Sequence, residues 1–332
     1  MRGNVASGVA SGVAVVLLVA SAPALAAAGP APLEEARHAA EHTAFEGVLQ
    51  VRWREGDAFR SERLTVQAAG GALMVRGANQ VMARPAFGRL LAHGSGGWEE
   101  MWLPSLAPTP RPEGVPKYST TPAAEGGPVA GRRTKVIEVH HGGRLLERIH
   151  LDADNELLLQ RDQYDARGQI VRTLAFDSIT MNPSGPPPAP PSSPARRAPK
   201  QVSAERLRSP ETLGEGYQRM GIYRTGSALQ ALYSDGVYDL SLFQQPGKLR
   251  ESDLPASGER VDLADATGWR YAWAGGQVVV WSEGGSVFTA VSDAPPEQVV
   301  DAVRSLPPIP TRELSLIGKI RRACQALMEP LS

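Results

Sequence analysis

The chain has 332 residues with 35 basic and 35 acidic side chains, so it lacks the basic excess that marks nucleic-acid-binding proteins. A single cysteine, Cys324, excludes an intramolecular disulfide. The length suffices for two domains, each large enough for a core of its own.

At the amino terminus, Arg2 is followed by small and apolar residues through Ala28, densest from Val13 to Ala20. Ala24-Leu25-Ala26 supplies a small-x-small cleavage site. The pattern predicts an export signal over 1–28, cleaved rather than kept as an anchor because its dense apolar part is short for a bilayer span. No cysteine follows the small residues, so a lipoprotein anchor is not expected. The mature protein is expected in the periplasm or elsewhere on the extracytoplasmic side of the envelope.

Residues 33–181 read as one antiparallel β domain. Leu33 to Thr43 predicts a short helix, with Leu33, Ala36, Ala39 and Ala40 near one stripe. From Phe45 to Arg54 the residues alternate: Phe45, Gly47, Leu49, Val51 and Trp53 face one way, while Glu46, Gln50, Arg52 and Arg54 face the other. Glu55-Gly56-Asp57 turns into a second strand ending around Leu64, Val66 and Ala68, and Gly70-Gly71 into a third over Leu73 to Met82. Shorter strands are expected at Phe87 to Ala92 and Trp98 to Leu103, and Pro104 to Pro128 reads as a long surface excursion.

Four strands then follow, at Arg132 to His140, Arg144 to Asp152, Glu156 to Tyr164 and Ile170 to Thr180, joined by turns that contain Gly or Asn. They predict an antiparallel meander. A sheet of some eight to ten strands curls, and its apolar face must be covered. Either it folds over on itself, or a concavity remains, lined by Phe45, Leu49, Val51, Trp53, Leu64, Val66, Leu73 and Val75, in which an apolar guest can bind.

Asn182 to Pro199 holds eight prolines in eighteen residues and no aliphatic side chain larger than Ala. Such a run cannot join a core, and the reading is an extended spacer over 182–201 between segments that fold separately and move relative to one another. Residues 202–306 then predict a smaller α+β domain. Its strands are Tyr217 to Tyr223, Leu229 to Tyr233, Val237 to Gln244, Trp269 to Trp273, Gln277 to Ser282 and Ser286 to Val291. A helix follows, capped by Ser292 or Asp293, with Pro295 and Pro296 in its first turn and Val299, Val300, Val303 and Leu306 as its buried stripe. Its aromatic residues suit a recognition surface or a strand-spaced core equally. The tail, 307–332, predicts an amphipathic helix that packs on its own domain or makes weak membrane-surface contact.

One catalytic pattern needs weighing. His38-Ala39-Ala40-Glu41-His42 fits H-x-x-E-H, in which two histidines hold zinc and the glutamate acts as general base. A third ligand should come from a downstream helix, whereas the acidic residues that follow lie in predicted strands and turns. A zinc peptidase using His38, Glu41 and His42 is therefore the least favoured reading. Cys324 has no evident base beside it, no P-loop or G-x-S-x-G is present, and neither cofactor nor catalysis is expected.

Two stretches carry a resemblance. Asp152 to Thr180, with Leu157-Leu158-Leu159-Gln160-Arg161, Tyr164-Asp165, Gly168-Gln169-Ile170-Val171 and Ala175-Phe176, is similar to the last strands of the amino-terminal domain of MucB/RseB proteins. The entry Thr43-Ala44-Phe45-Glu46-Gly47 is similar as well. Leu232-Tyr233-Ser234-Asp235-Gly236-Val237-Tyr238 with Leu240-Ser241-Leu242-Phe243 resembles the signature of that family's carboxy-terminal domain.

The resemblance implies a LolA-like unclosed antiparallel barrel with a helix, followed by a smaller α+β domain. It further implies a non-catalytic regulator that binds the extracytoplasmic region of a membrane-bound anti-sigma factor, modulates its proteolysis and responds to a lipid or lipoprotein-derived ligand. Tyr233, Ser234, Asp235, Gly236 and Tyr238 match the signature and are the implied partner-binding residues. A lipid or lipoprotein carrier of the LolA/LolB type is the alternative, and it needs the first domain only.

Overall fold

The computed structural model describes residues 31–77, 81–84, 90–94, 97–101, 117–123, 126–185, 200–201, 209–225, 228–264 and 266–307. The expected export signal, most of the proline spacer and the tail helix lie outside the described residues.

One helix, α1 (Ala31–His42), precedes a long series of strands: β1 (Phe45–Glu55), β2 (Ala58–Ala69), β3 (Ala72–Arg76), β4 (Val81–Arg84), β5 (Leu90–Gly94), β6 (Gly97–Met101), β7 (Ser119–Pro122), β8 (Thr134–His141), β9 (Arg144–Asp152), β10 (Leu158–Tyr164) and β11 (Ile170–Met181). They form one 11-stranded sheet in the order β6-β5-β4-β3-β2-β1-β11-β10-β9-β8-β7. Every pairing is antiparallel, and none joins β6 to β7 among the described residues, so the sheet is unclosed as expected.

The predicted meander is β8 to β11. The strand expected over Leu73 to Met82 is instead two, β3 and β4, because the chain reverses after Arg76 and Val81 pairs back on it. The proline-rich excursion contains β7, which pairs with β8 at the end of the sheet. There the missing amide of Pro122 breaks no ladder.

The second sheet contains β12 (Lys200–Gln201), β13 (Thr212–Leu213), β14 (Tyr217–Thr225), β15 (Ala228–Ser234), β16 (Asp239–Pro246), β17 (Glu259–Leu263), β18 (Ala266–Trp273), β19 (Gly276–Glu283) and β20 (Ser286–Ser292). Their order is β12-β14-β15-β16-β20-β19-β18-β17, with β13 also on β14. Helix α2 (Pro296–Arg304) follows. Strand β17 was not among the expected strands, since Glu259-Arg260-Val261-Asp262 is charged, as edge strands commonly are.

The predicted cap of α2 is corrected. Pro295 occupies the N-cap position without a side-chain hydrogen bond, and the Asp293 carboxylate is used elsewhere.

Alternation decides which face of the first sheet is buried. Phe45, Leu49, Val51, Leu64, Val66, Leu73, Val75, Leu174 and Phe176 share one face by register and form a core to which Ala274, in the turn between β18 and β19, also belongs. Phe45 meets Phe176 edge to face at 5.9 Å. Beside the bulge at Val48/Leu49, β1 passes β11 so closely that a Cβ on Gly47 would stand 2.4 Å from the Ser178 carbonyl oxygen.

A second core crosses the proline spacer. It joins Ala36, Tyr118, Ile137, Val139, Ile149 and Leu151 to Tyr217, Tyr233, Tyr238, Leu240, Trp281, Phe288 and Val299. The sequence reading of two separately cored segments thus differs from the packing observed, in which the sheets share buried apolar surface.

Candidate functional site at the seam between the sheets

The inward face of the first sheet changes character along its width. On β9, Glu147, Ile149 and Leu151 point inward; on β10, Leu159, Arg161 and Gln163; on β11, Arg172, Leu174 and Phe176. Three adjacent strands therefore each carry a charged residue in phase with their apolar ones. Charges in such positions need partners, because burying one unpaired costs several kcal/mol or more.

The partners converge at the seam. Arg161 binds Glu147 with both ends of its fork, Nε to Oε2 at 2.8 Å and Nη2 to Oε1 at 2.6 Å. Its third nitrogen reaches Asp293 Oδ2 at 3.5 Å, across the seam. Gln163 donates to Glu147 at 3.2 Å and to the Asp293 carbonyl at 2.8 Å. The Asp239 amide donates to Asp293 Oδ1 at 3.1 Å, so one aspartate ties β16 to β10. At the margin, the Ala166 amide donates to Glu297 of α2 at 3.2 Å.

Electrostatics follow from this enclosure. Burial pulls the Arg161 guanidinium down, and Glu147 and Asp293 more than offset it, leaving it firmly protonated. Burial pushes the Asp293 carboxyl up, partly opposed by Arg161 and Arg172. Burial and the neighbouring Asp293 push Asp239 up to about 7. Arg172, 1% exposed and opposite both Trp53 and Gln163, is lowered to about 10 by burial and then by Arg161. Its Nε and Nη2 have no hydrogen-bond partner.

A second knot lies at the β15–β16 turn. Gly236 takes φ +99°, and Asp235 Oδ1 accepts the amides of Val237 and Tyr238 at 3.0 and 2.8 Å. This is an Asx-type turn, in which a side chain replaces a backbone acceptor. The other carboxylate oxygen accepts the Tyr118 hydroxyl and the Lys117 ammonium, the latter at 2.6 Å, both from the stretch leading into β7. Tyr118 meets Tyr238 edge to face at 5.8 Å, and Lys117 lies 4.7 Å from the Tyr118 ring centre. Burial, then the Asp235 charge, holds the Tyr118 phenol far above its ordinary range, so it serves as a donor.

The structure brings Tyr233, Ser234, Asp235, Gly236 and Tyr238 together at this seam, all buried, rather than on an open surface. Phe45, Leu49, Val51, Leu64, Val66, Leu73 and Val75 stand on one face inside the apolar core, with Trp53 half-buried at its margin. Glu147, Gln163 and Arg172 were not singled out from sequence, while Arg161 was named only within the resembling stretch and Asp293 only as a helix cap. The available signal was a charged or amide residue in the apolar phase of three consecutive meander strands.

On α1 the His38 and His42 rings stack at 4.0 Å, and His42 Nδ1 contacts the His38 carbonyl at 2.8 Å. No group of three or more metal-ligating side chains is gathered among the described residues. No helix among them is long and apolar enough to cross a membrane.

No family model matches the chain, and no curated protein sequence matches it. Solved structures do. The crystal structure of MucB is similar at 17% identity, covering 85% of this chain and 100% of that one, with a TM-score of 0.51. The complex of Pseudomonas aeruginosa MucA and MucB gives 17% identity, 84% and 98% coverage and a TM-score of 0.49. MucB in complex with MucA(peri) gives 16%, 84% and 98%, with 0.45. At such identity the likeness concerns the fold, and over both of its sheets this chain has the fold of MucB.

Proposed function

We propose that the chain is a non-catalytic, exported regulatory protein that binds the extracytoplasmic region of a membrane-bound anti-sigma factor and thereby modulates that factor's proteolysis. The observation that carries this reading is the likeness to MucB over the whole of that chain, second sheet included. The seam supports it. A regulator needs two arrangements that a ligand can favour unequally, and a contact built from charges and tyrosines between two sheets is an element that such binding can bias.

In this reading the turn Tyr233 to Tyr238 serves the partner by setting how the second sheet meets the first. The apolar face of Phe45, Leu49, Val51, Trp53, Leu64, Val66, Leu73 and Val75 receives a lipid or lipoprotein-derived signal when the cover over it parts. A carrier of the LolA/LolB type is less favoured, because the second sheet shares a core with the first instead of hanging apart from it.

The test is co-purification of the tagged full chain from its native envelope, with mass spectrometry of bound protein and lipid. A single-span membrane protein is expected, whose extracytoplasmic segment, made as a peptide, binds the purified chain. Asp235→Asn is expected to weaken that binding more than about tenfold, since it removes the charge that holds Tyr118 and Lys117. Capture of acyl chains with no membrane protein would overturn the regulator in favour of the carrier.

A further inference from the structure

The outward face of β1, β2 and β3 is lined with arginines. By register Arg54 lies opposite Phe59, Arg52 opposite Ser61, Gln50 opposite Arg63, and Thr65 opposite Arg76. The four arginines therefore share the side of the sheet that faces away from Leu49, Val51, Leu64 and Val66. The guanidinium carbons of Arg52 and Arg54 stand 5.3 and 5.4 Å from the centre of the Phe59 ring. Phe59 is 44% exposed and is the one exposed large hydrophobic side chain among the described residues.

Little here is neutralised. Arg54 donates to Gln169 and Arg76 to Gln67, both uncharged. Among the described residues no carboxylate pairs with Arg52, Arg54 or Arg76. Arg63 faces Asp177 at 3.2 Å while its side chain remains 73% exposed. The other carboxylate on this face of the three strands is Glu46, opposite Gln67 and away from the row.

Spacing decides what such a row fits. Diagonal neighbours on adjacent antiparallel strands lie about 7–8 Å apart, which describes Arg52 to Arg63 and Arg63 to Arg76. Same-facing side chains of an extended peptide repeat every ~7 Å. Each guanidinium fork takes a carboxylate through two parallel hydrogen bonds. A membrane surface is less well matched, because stable attachment there needs several inserted apolar groups beside the charge, and this face offers Phe59.

We propose that this face binds an extended acidic segment of a protein partner, with carboxylates at alternate positions entering the row Arg52, Arg63 and Arg76 and an apolar side chain resting on Phe59. The surface lies on the opposite side of the sheet from the seam, so it does not depend on the function proposed above.

The test uses the full mature chain and fluorescence anisotropy with a peptide of about ten residues that alternates Glu and Thr. A peptide of the same composition with its Glu residues in one block serves as comparison, and anionic phosphatidylglycerol vesicles test the membrane. The alternating peptide is expected to bind at least about fivefold more tightly than the block peptide, and Arg52→Gln with Arg63→Gln to weaken it about tenfold or more. Both side chains are exposed, so the double variant should unfold at the same temperature as the parent, which separates lost binding from lost folding. Equal affinity for the two peptides, unchanged affinity in the double variant, or binding to vesicles without binding to peptide would overturn the proposal.

Discussion

The two halves of the first sheet's inward face use opposite means of burial. Around β1, β2 and β3 it is hydrocarbon from Phe45 to Val51 and from Leu64 to Ala68, with Glu62 and Arg60 at the end of the two strands. Around β9, β10 and β11 it carries Glu147, Arg161, Gln163 and Arg172, closed by the second sheet. The apolar half can be covered by anything greasy of roughly the right shape. The ionic half accepts only a cover that presents Asp293 and its carbonyl at the right places. Cohesion and orientation are thus divided between two regions of one sheet.

The sharpest way to break this comparison is Arg161→Met. It removes the cation that is hydrogen-bonded to both Glu147 and Asp293, and an expected loss of about 3–5 kcal/mol should appear as a lower midpoint in urea unfolding. A loss below about 1 kcal/mol would show that Arg161 does not bridge Glu147 and Asp293 in solution.

Leu49→Ala tests the other half. The side chain is 2% exposed, and its truncation should cost about 3 kcal/mol, the loss expected for a buried leucine replaced by a cavity. The difference lies in what fails. Leu49→Ala should lower stability and leave the surviving folded chain's affinity for the partner peptide intact, whereas Arg161→Met should change both.

The pH response sharpens the ionic half alone. Asp239, held up to about 7, keeps a proton in the folded chain that the unfolded chain has released above about pH 4. Folding therefore binds a proton within that window, and stability contributed by this group falls as pH rises from about 4 to 7. Asp239→Asn should remove that loss, raising stability at pH 8 and leaving it unchanged near pH 4. Thermal unfolding across that range checks it, and an equal effect at both ends would refute the assignment.

The smallest effect is expected at Arg172. Two of its donors are unpartnered, so Arg172→Met offsets the loss of its attraction to Asp293 and Glu147 by exchanging a poorly satisfied guanidinium for hydrocarbon of similar length. Stability should change by less than about 1 kcal/mol, in contrast to the same replacement at Arg161.

Much of the fold was legible in order. The alternation Phe45, Leu49, Val51, Trp53 and the glycine turns at Gly70-Gly71, Gly142-Gly143 and Gly284-Gly285 mark β1 to β3, β8 to β9 and β19 to β20, since a period of two and positive φ at glycine are local properties. Strand β7 was hidden by its prolines and β17 by its charges, because both are edge strands and edge positions relax the rules that make a strand recognisable. The signature Tyr233 to Tyr238 was legible as a turn. That Asp235 would turn outward from its own hairpin to hold Tyr118, far earlier in the chain, was not.

By itself, then, the order of residues determined two antiparallel sheets, the direction in which each strand presents its apolar side chains, and the proline run between them. Tertiary structure alone decided that the sheets share a core, and that Arg161 meets Asp293 across it. The reason is physical: alternation and turn chemistry act over a few neighbouring residues, whereas pairing a buried charge depends on what the rest of the chain brings within hydrogen-bonding distance.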